Sequence, residues 1–348
     1  ESTDADNSIE WRAGLFFQEK ETTGDSTRVF PAPPYFPVFT EQTTFEVEES
    51  QIAAFGHIVF KASEVFSIDA GLRIQSTDTS IDRLKVSPVG AAPIVANRDA
   101  TYFSPDAGFR YQMSDQFSFF GRTSLSIKPK GYSAFTDILG LAAFEDESAR
   151  SNELGFEYAT TDDVFSARVT AFDISIDDYQ LERSVPQATD YIVINADEVS
   201  SSGLEAEMVW KPMPQFELEA GIGTNDVTFD KHVDPFTNAV LNGLEVPFTP
   251  EYTVRGSARY RFDNGVFLQG TFRSIGETFF DESNSAMFRQ GSYEVYDVQV
   301  GYRTDKYSVV VFGKNLGDER YYTFINPQIF AATPGDPETF GIRLDTRF

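Results

Sequence analysis

The chain of 348 residues contains no cysteine, which excludes disulfide scaffolds, thiolate metal sites and cysteine nucleophiles. Long hydrophobic runs are missing as well, since no stretch approaches the roughly 20 apolar residues that a membrane-spanning helix needs. Basic residues are few: 28 Lys and Arg stand against 54 Asp and Glu, a formal net charge of −26. So acidic a chain does not attract nucleic acid through its overall field, and we expect no nucleic-acid partner.

Histidine is scarce, and the residues present form no catalytic set. The chain has two histidines, His57 in a predicted strand and His232 in a predicted loop, and no nucleophile motif lies near either one. The sequence therefore predicts that the protein is not an enzyme. We also expect no cofactor.

Apolar and aromatic residues are abundant, and they recur with a period of two. In the last twelve residues Phe340, Ile342 and Leu344 share one parity, whereas Arg343 and Asp345 share the other. Side chains of a strand alternate between its faces, so this segment has one apolar and one charged face. An apolar face toward lipid and a charged face toward a wet interior are typical of an outer-membrane β-barrel. Periodicity alone leaves a soluble β-sandwich open as the alternative.

The connections between the alternating segments separate these two hypotheses. We count 14 candidate strands, and the links between them are alternately short and long. Every long loop then lies at one end of the strands and every tight turn at the other, as in barrels with short periplasmic turns and long extracellular loops. The sequence thus predicts an all-β protein, an antiparallel transmembrane β-barrel. The short links are Ala62–Val65, Met113–Gln116, Thr160–Val164, Pro212–Gln215, Phe262–Gly265 and Arg303–Lys306, and the long ones are 24–43, 80–100, 132–148, 183–192, 228–250, 281–290 and 325–336.

One segment departs from regular alternation. In Ala167–Tyr179 the apolar parity changes near Phe172. A change of phase inside a strand indicates a girdle position or a β-bulge, where one extra residue shifts the register. We therefore expect either a girdle position or a bulge at this point of the wall.

Five stretches resemble the barrel of a TonB-dependent outer-membrane receptor. Each motif is weak by itself, but their order along the chain from about residue 50 to the end is specific. They are 54–74 (AFGHIVFKASEVFSIDAGLRI), 103–133 with Lys128-Pro129-Lys130-Gly131, the hairpin from Glu153-Leu154-Gly155 to Asp177-Asp178-Tyr179-Gln180, Asn195-Ala196 with Gly203-Leu204-Glu205, and Phe312–Tyr321 (FGKNLGDERY) with the terminal strand.

The resemblance implies a receptor of the bacterial outer membrane. Such a receptor contacts outer-membrane lipid, is energised by a TonB-type coupling protein, and takes up a bulky small-molecule nutrient such as a ferric siderophore, cobalamin or an oligosaccharide. Members of the family have a plug domain and about 22 strands. The sequence shows neither a plug nor, at Glu1–Ser8, a signal peptide. We therefore expect 1–348 to be one barrel domain, the C-terminal portion of a longer receptor. The alternative is a 14-strand barrel that closes on itself and acts as a passive diffusion porin.

A set of arginines falls on the charged parity of the predicted strands. One hypothesis is that they face a plug domain or line a permeation path. The other, which we favour for any single residue, is a hydrated ladder of cross-strand ion pairs that stabilises the wall. The set comprises Arg73, Arg122, Arg255, Arg259, Arg261, Arg273 and Arg343.

Aromatic residues on the predicted long loops are candidates for ligand contact, because such loops can hold a bulky ligand. The alternative for each of them is a place in the interfacial aromatic girdle. The leading candidates are Tyr132, Phe135, Phe229, His232, Phe236 and Phe330, and Phe144, Phe279, Phe280 and Phe324 belong to the same group.

One loop carries a weak metal-binding pattern. Asp230, His232 and Asp234 alternate, and two carboxylates with an imidazole could hold a divalent ion. A solvated acidic turn is the hypothesis we favour, so no metal site is predicted.

Overall fold

A computed structural model describes residues 8–30, 39–136, 139–185, 191–327 and 330–346. The residues before position 8 and the last two residues, which the sequence analysis also used, lie outside this range, as do parts of four predicted long loops. The described chain is dominated by one 14-stranded antiparallel sheet, which confirms the all-β prediction and the strand count. Its strands are β1 Ile9–Phe30, β2 Phe39–Lys61, β3 Phe66–Ser87, β4 Gly90–Ser114, β5 Phe117–Lys128, β6 Glu147–Ala159, β7 Phe165–Ser184, β8 Tyr191–Met213, β9 Phe216–Lys231, β10 Tyr252–Arg261, β11 Val266–Ile275, β12 Tyr293–Arg303, β13 Tyr307–Lys314 and β14 Thr339–Thr346.

Each strand pairs with the next one along the chain, so the sheet is a continuous meander. The six predicted short links are tight turns at one end of the sheet, which we call the turn end. In the turn between β10 and β11, Gly265 adopts φ 88°, and a Cβ there would lie 2.7 Å from the carbonyl oxygen of Arg303. Glycine fits this position because it tolerates positive φ and has no Cβ.

The sheet remains open between its first and last strands. β1 pairs with β2 alone and β14 with β13 alone among the described strands. The self-closed 14-strand barrel requires β1 to pair with β14. The structure lacks this pairing, so it does not support the alternative that the sequence left open.

The outward face of each long strand changes polarity part-way along its length. In β3 the outward residues from Phe66 to Ile74 are apolar, and those from Ser76 to Asp82 are polar. On the inner face the order is reversed: Asp69 and Arg73 come first, and the buried Ile81 follows. The apolar part covers about nine residues, the length that a strand needs to cross a hydrocarbon layer. Beyond it the outer face is wet and the inner face packs against loops.

This inversion corrects the expectation of a bulge near Phe172. Pairing of β7 with β8 runs without a shift from Phe165 to Asp177, and pairing with β6 is equally regular. Phe172 and Ile174 lie on the same inner face as Arg168, while the outward side chains change from Ala171 to Asp173. The apolar residues change from the outward to the inward face because the outward face passes from lipid to water. The backbone register stays the same throughout.

The predicted long loops are less irregular than expected. The segment 80–100 is no loop: β3 and β4 continue through it and meet in a tight turn between Ser87 and Gly90. Further along the chain, the long-loop end carries three small hairpins, Gly131–Tyr132 with Ala143–Phe144, Thr278–Phe279 with Arg289–Gln290, and Tyr322–Asn326 with Ala331–Pro334. In the described part of the chain, no helix is long and apolar enough to span a membrane.

Two small apolar cores stabilise the long-loop end. One joins Ile81 and Ile94 to Ala142 of the short helix Leu139–Ala142. The other gathers the buried Val199, Val227 and Phe229 with their neighbours from β7, β8 and β9. These cores hold the loop segments against the inner face of the sheet.

An aromatic belt follows the turn end of the sheet. Its rings contact one another, with centroid separations of 6.1 Å for Trp210 and Phe216 on neighbouring strands and 4.7 Å for Tyr260 and Phe262 at the end of one strand. The ring pairs Phe66–Tyr111, Phe117–Tyr158, Tyr158–Phe165 and Tyr302–Tyr307 continue it. Such girdles are typical of the interfaces on either side of the lipid-facing band.

Candidate ligand-binding pocket

A cavity of about 430 Å³ opens at the long-loop end of the sheet, a volume typical of small-molecule sites. The end of β7 forms one wall. The segment between β9 and β10 forms a second, and the loop between β11 and β12 with the hairpin that begins at Tyr322 completes it. Its lining includes Leu181, Glu182, Arg183, Tyr191, Asp234, Leu241, Phe248, Phe280, Glu282 and Phe324.

Arg183 organises the charged side of the pocket. Its Nη2 donates to Asp234 Oδ2 at 3.2 Å and its Nη1 donates to Glu282 Oε2 at 3.1 Å. Its guanidinium carbon lies 5.0 Å from the centre of the Phe236 ring. Within the described residues, the buried Nε has no hydrogen-bond acceptor. This N–H is enclosed by protein and not open to the cavity, so it is an unsatisfied donor in this structure.

Asp234 is held as a carboxylate. Burial by itself would raise the pKa of this group. The backbone N–H groups of Phe236 and Thr237 donate to Oδ1 at 2.7 and 3.1 Å, and together with Arg183 they bring the pKa of Asp234 below its ordinary value. The charged side of the pocket thus combines a fixed anion with a fixed cation.

His232 supports the pocket from behind. It is buried, its ring packs on Phe229 with centroids 4.9 Å apart, and its Nε2 lies 3.4 Å from Glu282 Oε2. Its backbone N–H donates to Asn242 Oδ1 at 2.9 Å. These contacts connect the segment after β9 to the loop between β11 and β12.

Three phenylalanines form an aromatic wall opposite the charges. Phe248 stacks on Phe324 at 5.9 Å with an angle of 10° between the rings, and Phe280 meets Phe248 edge-on at 5.3 Å. Phe248 adopts φ 68°, a conformation that costs a bulky residue energy. Its N–H donates to the carbonyl of Phe279 at 2.9 Å, and its ring is 53% exposed. Backbone strain that presents an exposed ring to a cavity is typical of a functional position.

The predicted loop residues fall into different environments. Phe280 and Phe324 line the pocket, and Phe236 lies beside it against Arg183. Phe229 and His232 are buried, so neither ring is open to a ligand in this structure. Tyr132 packs against the core around Ile81, and burial raises its pKa. The remaining candidates lie elsewhere on the loops: Phe135 against Phe45, Phe330 against Phe288, Phe144 over Gly131, and Phe279 in its hairpin with Arg289.

The three residues of the weak metal pattern, Asp230, His232 and Asp234, do not come together in the structure. Asp230 accepts a hydrogen bond from Ser200, whereas Asp234 is bound to Arg183 and His232 lies next to Glu282. The three side chains point to different partners because the chain turns after β9. They do not converge on one point, and among the described residues the set of possible metal ligands lies on other strands.

Most of the predicted wall arginines have partners on the sheet itself. Arg122 donates to Asp106 at 2.5 Å, Arg261 to Glu217 at 3.3 Å, and Arg255 to Glu207. Others are bound to glutamine or to a nearby carboxylate, and Arg273 is the cross-strand neighbour of Arg255. These contacts are what a ladder of wall pairs requires, and contact with a plug stays a prediction. The further pairs are Arg73 with Gln75, Arg259 with Gln269, and Arg343 with Asp345.

A larger groove, of about 490 Å³, lies on this polar inner wall. It is lined by Glu153, Arg168, Glu205 and Glu207, with Phe172 as its one aromatic residue. The pocket at the long-loop end has the better chemistry for a bulky ligand, because it combines apolar rings with a few converging charges.

Two residues of the pocket, Arg183 and Phe248, were not predicted from the sequence. Arg183 falls at the boundary between a predicted strand and a loop and carries no motif. Phe248 lies in the long segment 228–250 between two prolines, Pro247 and Pro250, which give no sign of a ring at positive φ. Nothing in the sequence around either residue indicates which distant residues it contacts.

Comparison with known proteins shows which family has this architecture. The model of the family described as "TonB dependent receptor-like, beta-barrel" matches residues 2–316. The chain belongs to this family. TonB-dependent receptors are outer-membrane β-barrel proteins and not enzymes, in agreement with the location that the sequence predicted. By the arrangement typical of such barrels, we call the long-loop end extracellular and the turn end periplasmic.

Individual relatives agree with the family. The ferric-pyoverdine M114 receptor PbuA of Pseudomonas sp. (strain M114) is 26% identical over 260 residues, which are 70% of this chain and 29% of that protein. The ferric yersiniabactin uptake receptor FyuA of Yersinia pestis superposes with a TM-score of 0.82 at 21% identity over 99% of this chain and 52% of its own. The siderophore receptor PiuA of Acinetobacter baumannii gives a TM-score of 0.78 at 15% identity, over 98% of this chain and 53% of that one.

The chain spans about half the length of these solved structures and less than a third of PbuA. At these identities the structural likeness establishes the fold alone.

Proposed function

We propose that this chain forms the wall and the extracellular ligand-binding face of an outer-membrane receptor that takes up a ferric siderophore. The family supplies the receptor class, and the relatives PbuA, FyuA and PiuA are named for ferric siderophores or siderophores. The apolar outward band contacts lipid. Energy comes from a TonB-type protein acting through a plug domain that lies against the inner face.

The observation that carries the proposal is the extracellular pocket. Its aromatic wall can pack on the organic part of a chelate, and the Arg183 guanidinium, whose Nε–H has no partner among the described residues, can attract one of the anionic oxygens that a ferric chelate presents. Asp234 and Glu282 hold that guanidinium in place. A pocket built in this way favours a bulky ligand with both aromatic or aliphatic surface and exposed oxygen atoms.

The test is equilibrium binding of ⁵⁵Fe-labelled siderophores of the catecholate, hydroxamate and mixed classes to the detergent-solubilised protein. We expect at least one class to bind. Phe248→Ala and Arg183→Gln should each weaken that binding at least about tenfold, because each removes one wall of the pocket.

Met287→Ala is the matched control, since Met287 is 69% exposed on the same extracellular end and lies outside the pocket lining. It should leave the affinity unchanged. Failure of all three siderophore classes to bind would overturn the proposed ligand. Equal affinity of the Phe248 variant and the parent would show that the ligand binds elsewhere.

A further inference from the structure

A second group of chemically reactive side chains lies on the inner wall, far from the extracellular pocket. His57 on β2, Asp69 on β3 and Asp106 on β4 offer one nitrogen and two carboxylate oxygens, all within 4.8 Å of one another. His57 Nε2 lies 3.1 Å from Asp69 Oδ1. All three side chains are partly buried.

The register of the sheet brings these residues together. His57, Gly71 and Asp106 are direct neighbours across three strands, and Asp69 is the direct neighbour of Gly108 in the next inward row. Each carboxylate therefore lies directly opposite a glycine, and Asp69 is the diagonal neighbour of both His57 and Asp106. Diagonal neighbours on one face of a sheet are within reach of one another's side chains.

The two glycines make the approach possible. A Cβ at Gly71 would collide with Asp106 Oδ2 and would lie 3.1 Å from His57 Cδ2. A Cβ at Gly108 would lie 2.6 Å from Asp69 Oδ2. The carboxylates of Asp106 and Asp69 thus lie in the space that a side chain at Gly71 or Gly108 would fill, each close to the imidazole. Any other residue at position 71 would push Asp106 away from His57.

The charge balance suits a divalent ion. Arg122 binds Asp106 Oδ1 at 2.5 Å and compensates one carboxylate, whereas Oδ2 lies on the opposite side over Gly71. With a neutral imidazole, the two carboxylates and Arg122 sum to one negative charge. An ion of charge +2 leaves the site with one net positive charge, whereas a trivalent ion would leave two.

We propose that His57, Asp69 and Asp106 bind one divalent transition-metal ion on the inner wall of the barrel. One imidazole and two carboxylates are the ligands that Zn²⁺ and its neighbours accept, with bonds of about 2.0–2.2 Å and an open position for water. To bind the ion through Nε2, the neutral imidazole must carry its single proton on Nδ1, so in the tautomer that donates from Nε2 to Asp69 this proton shifts to Nδ1 with no net release. The ion would link β2, β3 and β4 across the wall.

The test is calorimetric titration of the full chain in detergent with Zn²⁺, in millimolar Ca²⁺ to occupy exposed carboxylates. We expect one Zn²⁺ per chain. His57→Asn should abolish this binding. His232→Asn is the matched control, because His232 is the other histidine of the chain, and it should keep the full stoichiometry.

A second pair of variants leaves every ligand in place. Gly71→Ala should weaken Zn²⁺ binding at least about tenfold by displacing Asp106, an effect of the size seen for groups that position metal ligands. Gly270→Ala should not, since a Cβ there meets nothing within 4 Å. If the His57 variant does not fold, as judged by heat-modifiable gel migration, Asp106→Asn replaces it. Unchanged stoichiometry in His57→Asn or Asp106→Asn, or equal affinities of the two glycine variants, would overturn the site.

Discussion

Arg183 and Asp234 lie 51 residues apart in the chain, and their side chains meet at 3.2 Å. The contact joins the end of β7 to the segment that follows β9. Because Arg183 also binds Glu282, one guanidinium connects three separate extracellular segments. The shape of the candidate pocket therefore depends on this side chain.

Replacing Arg183 should loosen these segments without unfolding the sheet. Arg183→Gln leaves two carboxylates partly buried without their cation, and the loss of hydrogen bonds to charged groups is worth about 1.5–3 kcal/mol each. We expect faster amide hydrogen exchange in residues 232–242 and unchanged exchange in β9. Arg289→Gln is the control: its pair with Glu277 at 3.0 Å is solvent-exposed, and such pairs contribute little. Equal exchange in the two variants would contradict the assignment.

The protonation of Asp234 should make this region sensitive to acid. The pKa of Asp234 is lowered in the folded protein, so its contribution to stability is complete above the unfolded carboxyl value of about 3.9. That contribution disappears as the pH falls through the lower, folded pKa. Amide exchange of residues 232–242, compared between the parent and Asp234→Asn at a series of pH values from 7 to 2, should differ at pH 7 and converge in acid. A difference that stays constant with pH would contradict this.

Glu245 should behave in the opposite way. Burial, followed by repulsion from Glu251, Glu277 and Asp226, raises the pKa of Glu245. A raised carboxyl pKa costs stability where the group is ionised, and the cost is relieved as the pH falls below that pKa. Glu245→Gln should therefore raise the unfolding midpoint at pH 7 and make no difference at low pH. Its backbone contacts with Asn284 remain in the variant. A lower midpoint at pH 7 would show that the carboxylate has a favourable partner.

The polarity change along β3 predicts an effect that depends on depth. Leu72 and Asp82 are both exposed on the outward face of this strand, but Leu72 lies in the apolar band and Asp82 above it. Leu72→Arg should cost roughly 2–4 kcal/mol on insertion into a bilayer, as arginine does near the midplane of barrel walls. Asp82→Arg should cost almost nothing, because it faces water beside Glu46. Folding into lipid vesicles measures both, and equal yields would place the hydrocarbon boundary elsewhere.

The strands were the part of the fold that the sequence predicted best. The outward Phe66, Ile68 and Leu72 alternate with Asp69 and Arg73, and this pattern places the strand and its faces correctly. It worked because a strand side chain can lie on one of two faces only, and lipid and water sort the residue types between them. The same reasoning left a girdle position or a bulge open for the change near Phe172, since periodicity records the environment of each face and not the hydrogen-bond register.

The environments of the loop residues could not be predicted from the sequence. Phe229 and Phe236 are both aromatic residues of one segment, yet the first is buried in a core and the second lies on Arg183 at the pocket. Nothing local distinguishes them. Their environments depend on segments up to about a hundred positions away, as the contact between Arg183 and Glu282 shows.

The amino-acid sequence by itself determined the strand count, the two faces of the wall and the six tight turns at one end of the sheet. These follow from the two-residue period of a strand and from the difference between lipid and water, which act on each residue locally. The tertiary structure decided which charged groups share a site, Arg183 with Asp234 and His57 with Asp69. Those pairings depend on the register of the sheet and on how loops pack on its inner face, and both are sums of many long-range contacts.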